Sequence, residues 1–162
     1  PTATPIASEF GDLTTYTDPR SGFTISYPQL WQDAPSNSLF RDVCQNVSAC
    51  FALRDEGLLL ILTEDLSEYG LAGMTLDEYT DLLLDRQEND FYELVLDEPF
   101  VTDSGLEARI IGFNIQDGLL YSLRFIYLED EFAHNATYVV SGELFDELEP
   151  LLRYSLSTID LP

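Results

Sequence analysis

The sequence predicts an α+β fold in which an antiparallel sheet of about six to eight strands is flanked by helices. The first observation is the apolar run Gly57–Asp65, which has the length of a strand buried on both faces. The second is a hairpin pattern, in which two long apolar-rich arms at 106–116 and 119–129 flank Asp117-Gly118. The third is a pair of helical stretches, one mid-chain and one C-terminal. Groups of strands separated by single helices are typical of an antiparallel sheet with helices packed on it.

The composition fits one globular domain with an extreme charge. Of the 162 residues, 45% are hydrophobic, which is enough to form a core. There are 30 acidic residues against seven basic ones, all arginine, and the formal net charge is −23. Such a surface repels nucleic-acid phosphates and anionic headgroups, so we expect neither nucleic-acid binding nor electrostatic docking to a membrane. It attracts divalent cations and basic proteins, although an acid excess also keeps an exposed protein soluble.

Residues 1–12 predict a flexible spacer, and residues 13–162 a single folded domain. The opening PTATPIASEF is rich in Pro, Thr and Ala and carries no charged side chain before Glu9. Such spacers commonly follow a cleaved export signal or a lipid-anchored cysteine, and an ordinary frayed terminus is the alternative. No apolar run reaches the roughly 18–20 residues that span a bilayer, so we expect no membrane insertion of the domain itself.

The first predicted strands lead to the only tryptophan of the chain. Residues 14–16 are expected to form an edge strand, and residues 17–22 (TDPRSG) a turn. Residues 23–27 (FTISY) alternate apolar and polar side chains, the pattern of a half-buried strand, and Pro28 ends it. We expect Trp31 to be a structural plug over the end of the sheet rather than a binding platform.

The two cysteines predict a disulfide. Cys44 and Cys50 lie six positions apart in RDVCQNVSACF, a spacing that suits a bond closing a small loop between strand segments at 40–43 and 50–53. Free thiols and a metal site are the alternatives, and a metal site would need two more soft ligands. A disulfide implies an oxidising compartment.

A capping box predicts the first helix. Thr75 is the expected N-cap, Glu78 follows three residues later, and apolar residues at helical spacing extend to about Glu88. A strand at 91–97 is expected next, followed by a turn around Pro99.

The remaining chain predicts a hairpin, one more strand and a closing helix. Asp117-Gly118 supplies the positive φ angles of a type I′ turn. A polar loop at 129–135 (EDEFAHN) should precede a strand at 136–141. An interior proline costs a helix about 3 kcal/mol, so we expect Pro150 in the first turn of a last helix that ends near Ser157.

The opening segment YTDPRSGFTISYPQLW (16–31) resembles the start of PsbP-like domains, with GFTISYP followed three residues later by tryptophan. Later segments are similar too, namely the helix start MTLDEY (74–79), the long hairpin, the strand YVVSG (138–142) and a closing helix with Ser155. The resemblance extends over about 13–161, and its motifs are short and structural. It implies an α/β/α sandwich, which PsbP-like domains share with the Ran-binding Mog protein and with many exported bacterial proteins.

The best candidate for a metal site is the acidic segment with Glu129, Asp130, Glu131 and His134. These are four hard or borderline ligands within six positions. A solvated acidic loop is the alternative, and His134 alone is expected to be a solvated loop residue. The tract 85–90 (DRQEND) is a second candidate, because its acidic residues lie near a helix C-terminus, where negative charge is unfavourable.

No residues form a recognised catalytic pattern. The chain has one histidine, no G-x-S-x-G and no glycine-rich phosphate loop. We expect a non-enzymatic, extracytoplasmic binding or assembly module, tethered to the cell surface by a lipid anchor and acting through contacts with a protein partner. We expect no cofactor, unless a divalent cation such as Ca²⁺ binds. The alternatives are a divalent-cation-binding surface protein and a carboxylate-based hydrolase. A catalytic pair of acids could not be recognised from the sequence, because 30 acidic residues form many pairs by chance.

Overall fold

The structure, a computed structural model, describes residues 12–33, 44–53, 56–87 and 89–162. A short 3-10 helix, Leu66–Tyr69, follows the fifth strand. In chain order the other elements are β1 (Leu13–Thr17), β2 (Thr24–Pro28), β3 (Gln32–Asp33), β4 (Ala49–Leu53), β5 (Gly57–Asp65), α1 (Leu76–Arg86), β6 (Tyr92–Val101), β7 (Glu107–Ile115), β8 (Leu120–Glu129), β9 (Phe132–Ser141) and α2 (Phe145–Ser157).

Seven of these strands form one antiparallel sheet in the order β3-β4-β5-β9-β8-β7-β6. The strands β1 and β2 form a separate antiparallel pair. The last strand in sequence, β9, lies between β5 and β8, so it joins the first half of the chain to the long hairpin. The predicted α+β class, with an antiparallel sheet flanked by helices, is confirmed.

Helices cover both faces of the sheet, which gives three layers. On one face, α2 and the β1–β2 pair bury the larger core, which includes Ile25 and Leu152. On the other face, α1 and the 3-10 helix pack over a smaller cluster. Because successive side chains of a strand point to opposite faces, Leu123 and Phe125 of β8 belong to the larger core, and Ile126 belongs to the smaller cluster.

Trp31 is part of the larger core, as predicted for a structural plug. It is 2% exposed, and its ring meets the Tyr138 ring edge-on with 5.3 Å between the centroids. Gly57 makes room for it, because a Cβ at that position would lie 2.9 Å from the indole ring. The Tyr138 hydroxyl is hydrogen-bonded to Ser155 Oγ at 2.6 Å, and Ser155 donates to the Ser26 carbonyl. These bonds connect β9, α2 and β2.

Two predictions that rest on local signals are confirmed. Asp117 and Gly118 have φ of 56° and 87°, and a backbone hydrogen bond of 3.2 Å closes the type I′ turn between β7 and β8. Thr75 Oγ1 accepts a hydrogen bond of 3.1 Å from the Glu78 N–H, and α1 begins immediately after Thr75.

Pro28 ends β2 as predicted, but the predictions about Pro99 and Pro150 are wrong. Pro99 does not end a strand but lies within β6, opposite Arg109. A missing N–H is tolerated there because β6 is an edge of the sheet. The last helix begins at Phe145, so Pro150 lies inside the helix and not in its first turn. The helix ends at Ser157, as expected. Pro150 lies on the exposed side of α2, where water can reach the Asp146 carbonyl that the proline leaves unpaired.

The prediction of a polar loop at 129–135 is also wrong. The strand β8 extends to Glu129 and β9 begins at Phe132, which leaves Asp130 and Glu131 as a two-residue turn. Asp130 has φ of 53°, a left-handed conformation that aspartate adopts more readily than most residues. His134 therefore lies in a strand and not in a solvated loop.

The predicted disulfide is confirmed. Cys44 and Cys50 are bonded, with their Cα atoms 5.6 Å apart, so free thiols and a metal site at these cysteines are excluded. The strand segment predicted at 40–43 lies outside the described residues, and so does almost all of the spacer predicted at 1–12. In the described part of the chain, no helix is both long and apolar enough to cross a membrane.

Candidate functional site

A cleft of about 560 Å³ opens at one end of the sheet, where the β1–β2 turn, the 3-10 helix and the β8–β9 turn meet. We call it the acidic cleft. Arg20 is the only basic residue among the described residues that line it. Five carboxylates line it, those of Asp18, Asp65, Glu68, Glu129 and Asp130.

His134 forms the inner wall of the acidic cleft. The β9 register places it opposite Thr63 of β5, and its Nδ1 is 3.2 Å from Thr63 Oγ1. Its Nε2 lies 3.7 Å from Glu129 Oε2. The imidazole stacks on the Phe23 ring at 5.7 Å between centroids, and only 3% of the side chain is exposed. The ring is therefore fixed by packing on one side and by polar contacts on the other.

The histidine is neutral at pH 7. Burial lowers the pKa of His134 below its ordinary value, and the negative charge of Asp18 opposes this effect only in part. The contact with Glu129 does not hold the ring in its charged form, because that carboxylate is 44% exposed and screened by water. The imidazole therefore adds no positive charge to the cleft.

Local turns hold two of these carboxylates in place, those of Asp18 and Asp65. Asp18 Oδ2 accepts hydrogen bonds from the Ser21 N–H at 3.0 Å and from its hydroxyl at 2.5 Å. Burial raises the pKa of Asp18, but these hydrogen bonds outweigh it and leave the pKa below its usual value. On the opposite wall, Asp65 Oδ1 accepts from the Ser67 N–H at 3.0 Å and caps the 3-10 helix that carries Glu68.

The mouth of the cleft is partly apolar. Phe132, the first residue of β9, is 44% exposed and lines the cleft beside the acids. An exposed aromatic ring next to carboxylates suits a guanidinium or an ammonium group, which can pair with the acids and lie over the ring face. The arrangement is thus suited to binding extended cationic groups.

The structure brings together only part of the predicted metal site. Glu129, Asp130 and His134 line the acidic cleft, whereas Glu131 is exposed outside it, and its carbonyl accepts a hydrogen bond from the Leu66 N–H at 2.8 Å. Across the residues that the structure describes, no three His, Cys, Asp or Glu side chains are grouped so that they could hold a metal ion.

Three acids of the cleft were not identified from the sequence. All three are far from Glu129 in the sequence, because Asp18 lies on the β1–β2 turn and Asp65 and Glu68 lie at the end of β5 and in the 3-10 helix. The pairing of β5 with β9 brings Asp65 and Glu68 near Glu129. Packing of the β1–β2 pair against the sheet, seen in the stacking of Phe23 on His134, brings Asp18. No local signal marks them among the other acidic residues.

The second predicted tract, 85–90, lies at the end of α1, away from the acidic cleft. Asp85 and Asp90 are exposed there, and Glu88 lies outside the described residues. Within the described ranges, neither aspartate forms an ion pair with an arginine.

Comparison with known proteins gives matches in structure only. No family model matches the sequence, and no curated protein matches it. The structure is similar to cyanobacterial PsbP (CyanoP) from Synechocystis, with a TM-score of 0.63 and 15% sequence identity, over 99% of each chain. It is also similar to PA94 from Pseudomonas aeruginosa, a protein of unknown function, with a TM-score of 0.57 and 15% identity, over 94% of this chain and 98% of that one.

At these identities the matches describe architecture and not activity. They cover the whole of the fold described above, including the β1–β2 pair that carries the GFTISYP segment and the α2 helix that carries Ser155. The resemblance in sequence and the similarity in structure agree, and the chain has a PsbP-like fold.

Proposed function

We propose that this domain is a non-catalytic binding module that holds a basic, arginine- or lysine-containing segment of a protein partner in the acidic cleft. The observation that carries the proposal is the convergence of five carboxylates and one exposed aromatic ring on a single concave site. Cationic side chains are the groups that such a site recognises by charge and by stacking.

The charge of the whole molecule supports this choice of partner. A formal net charge of −23 raises the association rate of basic partners and repels acidic ones. Two acids of the cleft, Asp18 and Asp65, are also held by hydrogen bonds within their own turns before any partner arrives. A preformed site loses less conformational entropy on binding.

We further propose that the module acts outside the cytoplasm and is tethered through its N-terminal residues. The disulfide Cys44–Cys50 supports an oxidising compartment, and the Pro/Thr/Ala-rich composition of residues 1–12 supports a spacer. Trapping the thiols with an alkylating reagent in intact cells should find both cysteines protected. Free, alkylated cysteines in the mature protein would contradict this localisation.

The binding proposal is tested by calorimetry with a short synthetic peptide of alternating arginine and serine. The cleft variant combines Glu68→Gln, Glu129→Gln and Asp130→Asn, which remove three charges and leave the helix-capping Asp65 intact. We expect the variant to bind the peptide about tenfold more weakly than the wild type at about 0.15 M salt.

The matched control removes the same charge from exposed positions on α1 and β6, with Asp81→Asn, Asp85→Asn and Glu93→Gln. We expect this control to bind like the wild type within about twofold. Equal weakening in both variants would mean that the peptide responds to overall charge, and it would overturn the proposal. A saturable heat with Ca²⁺ that the cleft variant loses, together with unchanged peptide binding, would favour the divalent-cation alternative.

A further inference from the structure

A second cavity lies on the opposite face of the sheet and takes no part in the acidic cleft. It is a groove of about 270 Å³ beyond the C-terminal end of α1, where the helix no longer covers the strands. Gln87 marks the end of α1 at its rim, and Val47 of the disulfide-closed loop lies at its other side. We call it the arginine groove, because Arg124 is the only charged residue among the described residues that line it.

The walls of the arginine groove are apolar. Leu60 and Leu62 of β5, Ile115 of β7 and Val139 of β9 provide aliphatic surface, and Phe113 adds a ring. A small, mostly apolar cavity with a few convergent polar groups is the usual form of a small-molecule site. The volume is just below the range of drug-sized ligands and therefore suits a short chain or a single ring.

The position of Arg124 is fixed by hydrogen bonds from one side. Its Nε donates to Asn135 Oδ1 at 2.9 Å. The Asn135 amide is held in turn, because its Nδ2 lies 3.3 Å from the Tyr79 hydroxyl, which donates to Glu64 Oε2 at 3.0 Å. Tyr79 and Asn135 are buried, so this network holds the guanidinium in one orientation at the groove wall.

Arg124 differs from the arginines that are paired with acids. Arg109 contacts Asp77 and Asp97, and Arg153 contacts Glu98 and Glu149. In the part of the chain that the structure describes, no carboxylate lies within ion-pair distance of the Arg124 guanidinium.

Burying part of the Arg124 guanidinium without an ion-pair partner among the described residues costs free energy. Burial lowers the pKa of Arg124, and the Tyr79 hydroxyl and the negative charge of Glu64 offset this only in part. In a protein with 30 acidic residues, an arginine in an apolar groove with no carboxylate at ion-pair distance among the described residues indicates that the anion comes from outside.

We propose that the arginine groove binds a small organic monocarboxylate, with the carboxylate on Arg124 and the apolar body against the aliphatic walls. The planar guanidinium matches a carboxylate in size and geometry, and the walls match a short alkyl or aryl body. A single carboxylate is favoured over a phosphate because Arg124 is the one cation among the described lining residues, and the net charge of the protein opposes a second negative charge on the ligand.

The test uses sodium octanoate as the probe, with octanol as its uncharged counterpart, on the full chain. We expect saturable octanoate binding by calorimetry, with octanol at least about tenfold weaker. Arg124→Gln should weaken octanoate binding about tenfold or more and leave octanol binding unchanged. Equal affinity for octanoate and octanol in the wild type, or no saturable octanoate binding, would overturn the proposal.

Two further variants keep the test decisive if Arg124→Gln unfolds. Ile115→Phe fills the groove with a larger apolar side chain and leaves Arg124 in place, and it should abolish octanoate binding. Arg20→Gln removes an equal charge from the acidic cleft on the other face and should leave octanoate binding unchanged. Octanoate binding that survives Ile115→Phe, or that is lost in Arg20→Gln, would place the anion elsewhere on the surface.

Discussion

The two faces of the sheet are built in different ways. On the α2 face, twenty buried residues of the described chain form one continuous hydrophobic core, which includes Trp31 and Tyr138. On the α1 face, the buried residues of the described chain form two smaller clusters, one of seven residues under α1 and one of four beside the disulfide. The polar network of Tyr79, Asn135 and Arg124 lies next to them.

The difference follows from how much of the sheet each helix covers. The helix α2 has 13 residues and is joined on its face by the β1–β2 pair, whereas α1 has 11 residues and leaves the arginine groove open. We infer that the α2 face supplies most of the stability of the domain, and that the α1 face leaves space for a ligand. The acidic cleft lies at the rim of the α2 face, where Thr63 and His134 project from β5 and β9.

The largest expected effect is on the free energy of unfolding, when one buried leucine on each face is replaced by alanine. Leu152→Ala on α2, which is fully buried in the larger core, should lower the free energy of unfolding by about 3–5 kcal/mol. Leu83→Ala on α1 should cost about 2–3 kcal/mol, because the smaller cluster borders an open groove and can relax around the lost atoms. Urea unfolding of both variants measures the difference, and a larger loss for Leu83→Ala would reverse the inferred order of the two faces.

A smaller effect is expected from the disulfide on the α1 side of the sheet. Replacing Cys44 and Cys50 together by serine opens a short loop and should lower the free energy of unfolding by about 2 kcal/mol, mainly by freeing the unfolded chain. Chemical denaturation with and without a reducing agent checks this. A variant as stable as the wild type would show that the loop is held by its packing alone.

The same double variant should also bind octanoate more weakly, because Val47 of the disulfide-closed loop lines the arginine groove.

The smallest expected effect is a pH dependence at the acidic cleft. Since burial lowers the pKa of His134, the unfolded chain takes up this proton at a higher pH than the folded chain does. The free energy of unfolding should therefore fall as the pH drops below about 6.5, the ordinary histidine value, toward the lower pKa of the folded state.

His134→Gln should remove this slope between about pH 7.5 and pH 5.5, where the chain has no other histidine to titrate. Thermal unfolding of both proteins across this range provides the measurement. A slope that is unchanged in the variant would assign the pH dependence to other groups.

The sequence predicted the elements whose signals are local. Thr75 with Glu78, and Asp117 with Gly118, fix a helix start and a hairpin turn within a few residues, and both are found as expected. The start of α2 relative to Pro150 was predicted wrongly, because a proline is tolerated inside a helix where its side of the helix faces water. The partners of α2 determine which side that is.

The candidate sites could be predicted only in part, because they depend on strand pairing. The segment containing Glu129, Asp130 and His134 was identified, but the other acids of the cleft come from turns that only the tertiary fold brings near it. Arg124 offered one weak signal, a charged residue in the middle of the apolar strand LYSLRFIYLE. That signal does not reveal that no carboxylate of the described residues pairs with the guanidinium.

The measurement that tests the central claim most directly is a titration of isotope-labelled protein with the arginine–serine peptide, followed by the chemical shifts of the backbone amides. The account predicts that the largest shift changes occur around the acidic cleft, at Ser21, Thr63, Phe132 and His134, with little change along α1 and β6. Shift changes of equal size at the exposed acidic residues of α1 would contradict it. The peptide would then bind through the net charge of the protein and not at a defined site.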